Sequence, residues 1–182
     1  MDLILAAVAA VPLLLLALAV ALAVRLTSTG PALYWSDRVG RGGRIFRMPK
    51  FRTMKVGTPP VATHLMPDPH SALTPIGGFL RRTSLDEIPQ LWSVVVGDMS
   101  FVGPRPALFN QDDLIALRRA AGIDVLRPGI TGWAQINGRD ELPIPVKVAF
   151  DREYLERRSP LFDLLIILKT AAKLLGDKTV TH

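Results

Sequence analysis

Hydrophobic and polar positions divide this chain unevenly. From Leu3 to Val24 the residues are almost entirely Leu, Ala, Val and Ile, with no charge among them. As a straight helix these roughly 22 residues would span about 33 Å, enough for a hydrocarbon core. Pro12 falls near the middle of the run, removes one helical hydrogen bond and predicts a kink. A signal peptide fits poorly, because Asp2 stands where a basic n-region belongs. Two topologies follow. A straight span leaves the bulk of the chain on the Arg-rich cytoplasmic side, whereas a helix broken at Pro12 enters and leaves through one face. A plain anchor is the simpler reading of these residues.

Beyond the run, apolar residues recur at shorter periods. Ile88, Leu91, Trp92 and Val95 fall at i, i+3, i+4 and i+7 and predict one apolar helix face, stopped by Gly97. Ser84-Leu85-Asp86-Glu87 has the form of a capping box. A start at Ser84, however, puts Pro89 at the fifth helical position, where its ring meets a preceding carbonyl. Asp86 as N-cap keeps Pro89 in the first turn and is the preferred start. Glycines at 40, 42 and 43 predict a turn between two short strands within residues 32 to 55. Asn110 to Ala121 reads as a short polar surface helix. Val146 to Arg158 reads as a charged helix displaying Asp151, Arg152 and Glu153, and Leu161 to Leu175 as an apolar one. The last is too short to span a bilayer and belongs to a core or an interface.

Composition sharpens the picture. A length of 182 residues suits one domain, and 49% apolar residues call for a sizeable core or membrane contact. No cysteine is present, which excludes disulfides, thiolate metal sites and cysteine nucleophiles. The formal net charge of +6 suits an anionic partner: nucleic acid, phospholipid head groups or a phosphorylated small molecule.

Candidate chemistry then concentrates in a few places. Asp86 and Glu87 sit in the field of a helix's positive end, which favours ionised carboxylates, although capping alone would also employ them. Arg38, Arg41, Arg44, Arg47, Lys50, Arg52 and Lys55 form a basic run without an acid. Such a run beside a membrane segment commonly holds anionic head groups, but Lys50 and Arg52, flanking Phe51, are placed to reach a substrate phosphate. Pro104-Arg105-Pro106 is stiff, because each proline fixes its own φ and biases its predecessor towards extended geometry. Arg105 is thereby displayed for bidentate phosphate capture, with a pairing to Asp98 as the competing use. The stretch from Arg127 to Arg139 reads as a loop punctuated by Gly129, Gly132 and Gly138; its glycines serve either close approach to a ligand or tight turns. His64 and His70 lie in a Pro- and Thr-rich loop from Gly57 to Ser71. Without carboxylates at ligand spacing they do not predict zinc.

Several stretches together resemble a known family, the bacterial sugar transferases called monotopic phosphoglycosyl transferases. They are Arg38 to Arg41, Lys50 to Met54, Arg82 to Trp92, Gly97 to Pro106 and Arg127 to Arg139, and order and spacing agree throughout. The length resembles that of the small members. The resemblance implies an α+β, mainly helical, monotopic membrane protein on the cytoplasmic face of the bacterial inner membrane. Residues 1–28 would form a re-entrant helix kinked at Pro12, and residues 29–182 a catalytic domain with interfacial helices and a small β element.

The implied reaction moves a sugar-1-phosphate from a UDP-sugar to undecaprenyl phosphate, releasing UMP. Asp86 would be the nucleophile, forming an aspartyl phosphosugar. Glu87 would help hold Mg²⁺ with Asp86 or place the acceptor. Arg105 would bind phosphate, with Lys50, Arg52, Arg82, Gln135 and Arg139 as further substrate-binding candidates. Direct transfer in a ternary complex is the alternative on the same substrates. A membrane-tethered nucleic-acid binder is a distant second class, since no recognition motif accompanies the basic run. An aspartyl-phosphate hydrolase would want Asp-x-Asp, which Asp86-Glu87-Ile88 does not supply. Two departures are visible: Val11-Pro12 replaces the family's usual Ser-Pro pair, and the usual N-terminal basic pair is missing. The sugar is not legible, and a homo-oligomer is left open.

Overall fold

A computed structural model describes residues 2–59, 61, 66, 68–138 and 142–176, with the side chains of 3–12 and 174–176 outside the description. His64 and Arg139 therefore lie outside the described residues. Packing divides the chain into two compact units, residues 2–36 with 47–95 and residues 37–46 with 96–176.

The first unit begins with α1 (Asp2–Thr27), one helix assigned through Pro12. Its C-terminal half turns Ala17, Val20, Ala21 and Val24 inward, at i, i+3, i+4 and i+7, against Phe51, Leu80, Ile76, Leu85 and Ile88. Leu14, Leu15, Leu18, Leu22 and Leu26 point outward and are exposed. Among the described residues, no helix is long and apolar enough to cross a membrane. The predicted hairpin is present, its base at residues 33–36 and 47–51 belonging to this unit and its tip to the second: β1 (Leu33–Val39) pairs with β2 (Ile45–Phe51). Between them Gly42 and Gly43 take φ of 66° and 78°, the left-handed turn that glycine alone adopts freely. The short α2 (Gly77–Arg82) follows, then a 3-10 helix at Leu85–Gln90 that passes directly into α3 (Leu91–Val95).

The preferred helix start at Asp86 is not what forms. The helical segment begins at Leu85, with Ser84 at the N-cap position, and no side-chain capping bond is made. Pro89 is carried inside 3-10 winding, and α-helical geometry resumes only after it, at Leu91. The proline was correctly seen to obstruct an α-helix, but the chain tightens its winding instead of shortening the helix. Gly97, at φ 87°, ends the segment as expected.

The second unit is built on a parallel ladder that the hydrophobic pattern did not reveal. β3 (Ser100–Val102) pairs with β4 (Gly129–Thr131), with Ser100 opposite Gly129 and Val102 opposite Thr131. Around it stand α4 (Asp112–Ala120), α5 (Trp133–Gly138), α6 (Ile144–Arg157) and α7 (Pro160–Gly176). Val102, Ile123, Leu126, Tyr154, Phe162 and Ile166 form the core. The stretch read as a Gly-punctuated loop thus holds a strand and a helix. Asp151, expected at the surface, is buried. α7 bears out the core reading through Phe162 and Ile166, while Leu161, Leu164 and Leu168 are exposed.

Candidate active site

Each unit supplies a set of polar groups, beginning with the acidic pair. Ser84 sits at φ 55°, the one non-glycine residue with positive φ among those described. Two residues later Asp86 enters the buried face of the 3-10 helix with only 7% of its surface exposed. Gln90 and Ser93 lie on the buried side of the same segment, and their Nε2 and Oγ atoms have no hydrogen-bond partner among the described residues. Arg81 donates from Nε to Thr53 Oγ1 at 3.0 Å. Burial lowers the Arg81 guanidinium from its ordinary range, while the charge of Asp86 pulls it back up. Lys50, near the end of β2, places Nζ 3.1 Å from Glu87 Oε1, both side chains being mostly buried.

The other candidates of this unit stand differently. Arg52 is buried and spends its guanidinium on the loop after α1, donating to Pro31 O at 2.7 Å, Ser28 O at 3.2 Å and Ser28 Oγ at 2.9 Å. Arg82 is exposed on α2. The structure therefore groups Asp86, Glu87, Lys50 and Arg81, and uses Arg52 to fasten a loop.

In the second unit, glycines let main chains touch. A Cβ on Gly129 would lie 2.1 Å from Gly103 N, and one on Gly132 would lie 2.1 Å from Gly103 O. These glycines serve approach of backbone to backbone rather than tight turns. Pro104-Arg105-Pro106 leaves directly from this contact, and Arg105 is half-buried. Gln135 donates from Nε2 to Ile130 O at 2.9 Å, while its buried Oε1 has no partner among the described residues. A hydrogen bond from Trp133 Nε1 to Glu153 Oε2 at 2.7 Å ties α5 to α6. Lys173 of α7 donates to Ile136 O at 3.1 Å. Sequence reasoning did not single out Arg118 and put Asp151 at the surface: a buried ion pair of 2.6 Å between them joins α4 to α6. A charged residue in an otherwise polar helix carries no local mark of burial.

Among the described residues no three His, Cys, Asp or Glu side chains cluster as a metal site. Magnesium does not require one, since it commonly takes one or two carboxylates and fills its octahedron with water and substrate phosphate. Asp86 and Glu87 offer hard oxygens of that kind, so the donor set fits.

Within the first unit, adjacent carboxylates with an ammonium on one of them make equipment for handling phosphate groups. Residues 1–177 match the model of the family described as bacterial sugar transferase, and the chain belongs to that family. It is 41% identical over 186 residues to a UDP-glucose:undecaprenyl-phosphate glucose-1-phosphate transferase of Xanthomonas campestris pv. campestris, covering 98% of this chain and 38% of that protein. It is 36% identical over 182 residues to the UDP-N-acetylgalactosamine-undecaprenyl-phosphate N-acetylgalactosaminephosphotransferase of Aeromonas hydrophila, covering 94% and 42%. Against the exopolysaccharide production protein ExoY of Sinorhizobium fredii, identity is 37%, with 92% of this chain and 79% of that protein covered. The chain spans less than half the length of the first two relatives and about four-fifths of the third.

Proposed function

We propose that this chain transfers a sugar-1-phosphate from a UDP-sugar to undecaprenyl phosphate, releasing UMP. The observation that carries the reading is the Asp86-Glu87 pair, with Asp86 shielded from bulk water and Lys50 on Glu87. An Asp86 oxygen attacks the sugar-bearing phosphorus, a P–O bond to Asp86 forms, and the bond to the UMP oxygen breaks. An oxygen of undecaprenyl phosphate then attacks the same phosphorus and returns Asp86 as carboxylate. Shielding matters because water reaching the acyl phosphate would hydrolyse it before the lipid arrived.

Lys50 offsets the charge of Glu87 and of the incoming diphosphate, and Arg105 binds a phosphate through its planar fork. Bound Mg²⁺, held by Asp86 and Glu87, would neutralise diphosphate charge. The outward leucines of α1 support a membrane-embedded, re-entrant placement of that helix. Exposed Tyr34, Trp35, Arg41, Arg44 and Arg47, with Arg47 lying 5.5 Å from the Trp35 ring centre, support an interfacial hairpin at the cytoplasmic face of the inner membrane.

The test uses the full chain in vesicles containing undecaprenyl phosphate and Mg²⁺, given a panel of UDP-sugars. UMP release with one of them, lost in Asp86→Asn, is the expected result. Labelled UMP should also exchange into that UDP-sugar when lipid acceptor is withheld, since only a covalent intermediate permits it. No UMP release from any UDP-sugar would overturn the reaction, and release without exchange would overturn the covalent step.

A further inference from the structure

The loop Pro104–Ala107 is held by its carbonyls, one after another. Pro104 O accepts from Gly129 N at 2.9 Å, and Ala107 O accepts from Val39 N at 3.0 Å. Between them, Arg105 O accepts from Arg118 Nη1 at 2.7 Å and Pro106 O accepts from Arg38 Nη1 at 3.1 Å. The reason lies in the sequence. Pro104 and Pro106 have no N–H to give, which halves the backbone donors of this segment and leaves four carbonyls as its more numerous handles. Two backbone amides hold its ends and two guanidinium groups hold its middle.

Of the two arginines, Arg118 is itself fixed. Its Nε and Nη2 donate to Asp151 Oδ2 at 2.9 and 2.6 Å, and both side chains are buried. Asp151 sits on α6 and Arg118 on α4, so the guanidinium is aimed by two helices before it reaches the loop. An ion pair made only to join the helices would not need the third donor, which goes to the carbonyl of Arg105 and no other loop residue.

We propose that Arg118, oriented by Asp151, is a positioning residue that aims the Arg105 side chain at the phosphate of the donor. The proposal rests on the reading of Arg105 as a phosphate-binding group. Arg118 touches no reacting atom. It fixes the peptide plane that follows Arg105, and with it the direction in which the phosphate-binding fork projects. A guanidinium can serve Asp151 and the loop at once because its donors diverge in a plane, whereas an ammonium on the same stem can satisfy the carboxylate and let the loop go.

The experiment is a double-mutant cycle on the full chain: wild type, Arg118→Lys, Arg105→Ala and the double variant, with UMP release measured against donor concentration. Arg118→Lys is expected to lower kcat/KM for the donor about tenfold or more. In the Arg105→Ala background the same change should alter it less than about twofold, because the group being aimed is gone. Thermal unfolding is followed in all four proteins, and the Arg118→Lys shift should be equal in the two backgrounds. Equal fold losses of activity in both backgrounds would overturn the proposal, showing that Arg118 acts through the fold at large. Unchanged kcat/KM in Arg118→Lys would overturn it as well. Full activity in Arg105→Ala marks the separate failure of the Arg105 reading. If Arg118→Lys does not fold, Asp151→Asn takes its place in the cycle, because an amide oxygen still accepts from Arg118 but holds it less firmly.

Discussion

Gly129→Ala is the substitution whose cost the structure states most directly. A Cβ there would stand 2.1 Å from Gly103 N, 2.4 Å from Thr131 O and 2.7 Å from Gly103 Cα. All three are backbone atoms, so no side chain can swing aside. Parting the two main chains by about an ångström would only bring the Gly103 contact above 3 Å and would not relieve Thr131 O, which lies on the same strand; three hydrogen bonds span that gap. These are Ser100 N to Pro128 O, Gly103 N to Thr131 O and Gly129 N to Pro104 O, each of 2.9 Å. At about 1 kcal/mol each, their loss or stretching costs about 3 kcal/mol. For a protein of this size that corresponds to a fall in Tm of roughly 6–12 °C. Gly97→Ala is the control: Gly97 has φ 87° but nothing within 4 Å of its Cβ position. Only the left-handed backbone is penalised there, at about 1–2 kcal/mol. Thermal unfolding in detergent, read by far-ultraviolet circular dichroism, compares the two. Donor kcat/KM should fall further in Gly129→Ala than in Gly97→Ala, since only the former disturbs the root of the Arg105 loop. A Gly129→Ala protein no less stable than Gly97→Ala would refute the steric argument.

Three other outcomes follow from named contacts. Lys50→Met removes the ammonium 3.1 Å from Glu87 and should raise the donor KM about tenfold to a hundredfold, the worth of one charge-assisted contact; initial-rate kinetics on the donor decide it, and an unchanged KM would count against Lys50 as a substrate group. Burial pushes the Asp151 carboxyl above its ordinary range against the opposing pull of Arg118, so the folded protein binds that proton more tightly than the unfolded chain. The carboxyl's contribution to stability is then full below its unfolded value, about pH 3.9, and is lost as pH rises through the folded value. Unfolding measured from about pH 4 to 7 should accordingly show wild type losing ground to Asp151→Asn as pH rises, and a gain would reverse the assignment of cause. Leu18→Glu combined with Leu22→Glu, at two outward positions about 60% exposed, should reduce sedimentation with anionic vesicles at least a hundredfold, given roughly 2.5 kcal/mol or more per charge placed in hydrocarbon; unaltered sedimentation would remove α1 from the membrane.

The β1–β2 hairpin and the end of α3 were legible because their signals are local. Three glycines between two strand-like runs announced the β1–β2 hairpin, and Gly97 announced the end of α3. The ladder of β3 with β4 was not legible. Its strands are three residues long, parallel and contributed by segments far apart in sequence, so no alternation accumulates and no hairpin turn flags the partner. The same remoteness hid Arg118 and Asp151. Each looks like a solvated charge on its own helix, and only the packing of α4 on α6 makes them a pair. The Pro-Arg-Pro stretch was legible as stiff, yet the proline argument covers the torsions alone. Where the stiff piece points depends on who grips its carbonyls.

The helix after Asp86 shows where pattern reading stops for a physical reason. The predicted single face of Ile88, Leu91, Trp92 and Val95 is not kept, because 3-10 winding through Gln90 gives way to α-helix at Leu91, and Ile88 packs inward against α1. Trp92 and Val95 lie on the exposed side, while Asp86, Gln90 and Ser93 are buried. Periodicity identifies which face is apolar, but the rule that this face turns inward assumes water outside. Trp92, Val95 and the outward leucines of α1 would be costly surface in water and inexpensive surface in lipid. The inverted segment therefore supports the same proposal as the α1 leucines. On the proposed reading, the carboxylate that takes up the sugar phosphate lies on the buried side of a segment whose exposed Trp92 and Val95 would face the bilayer.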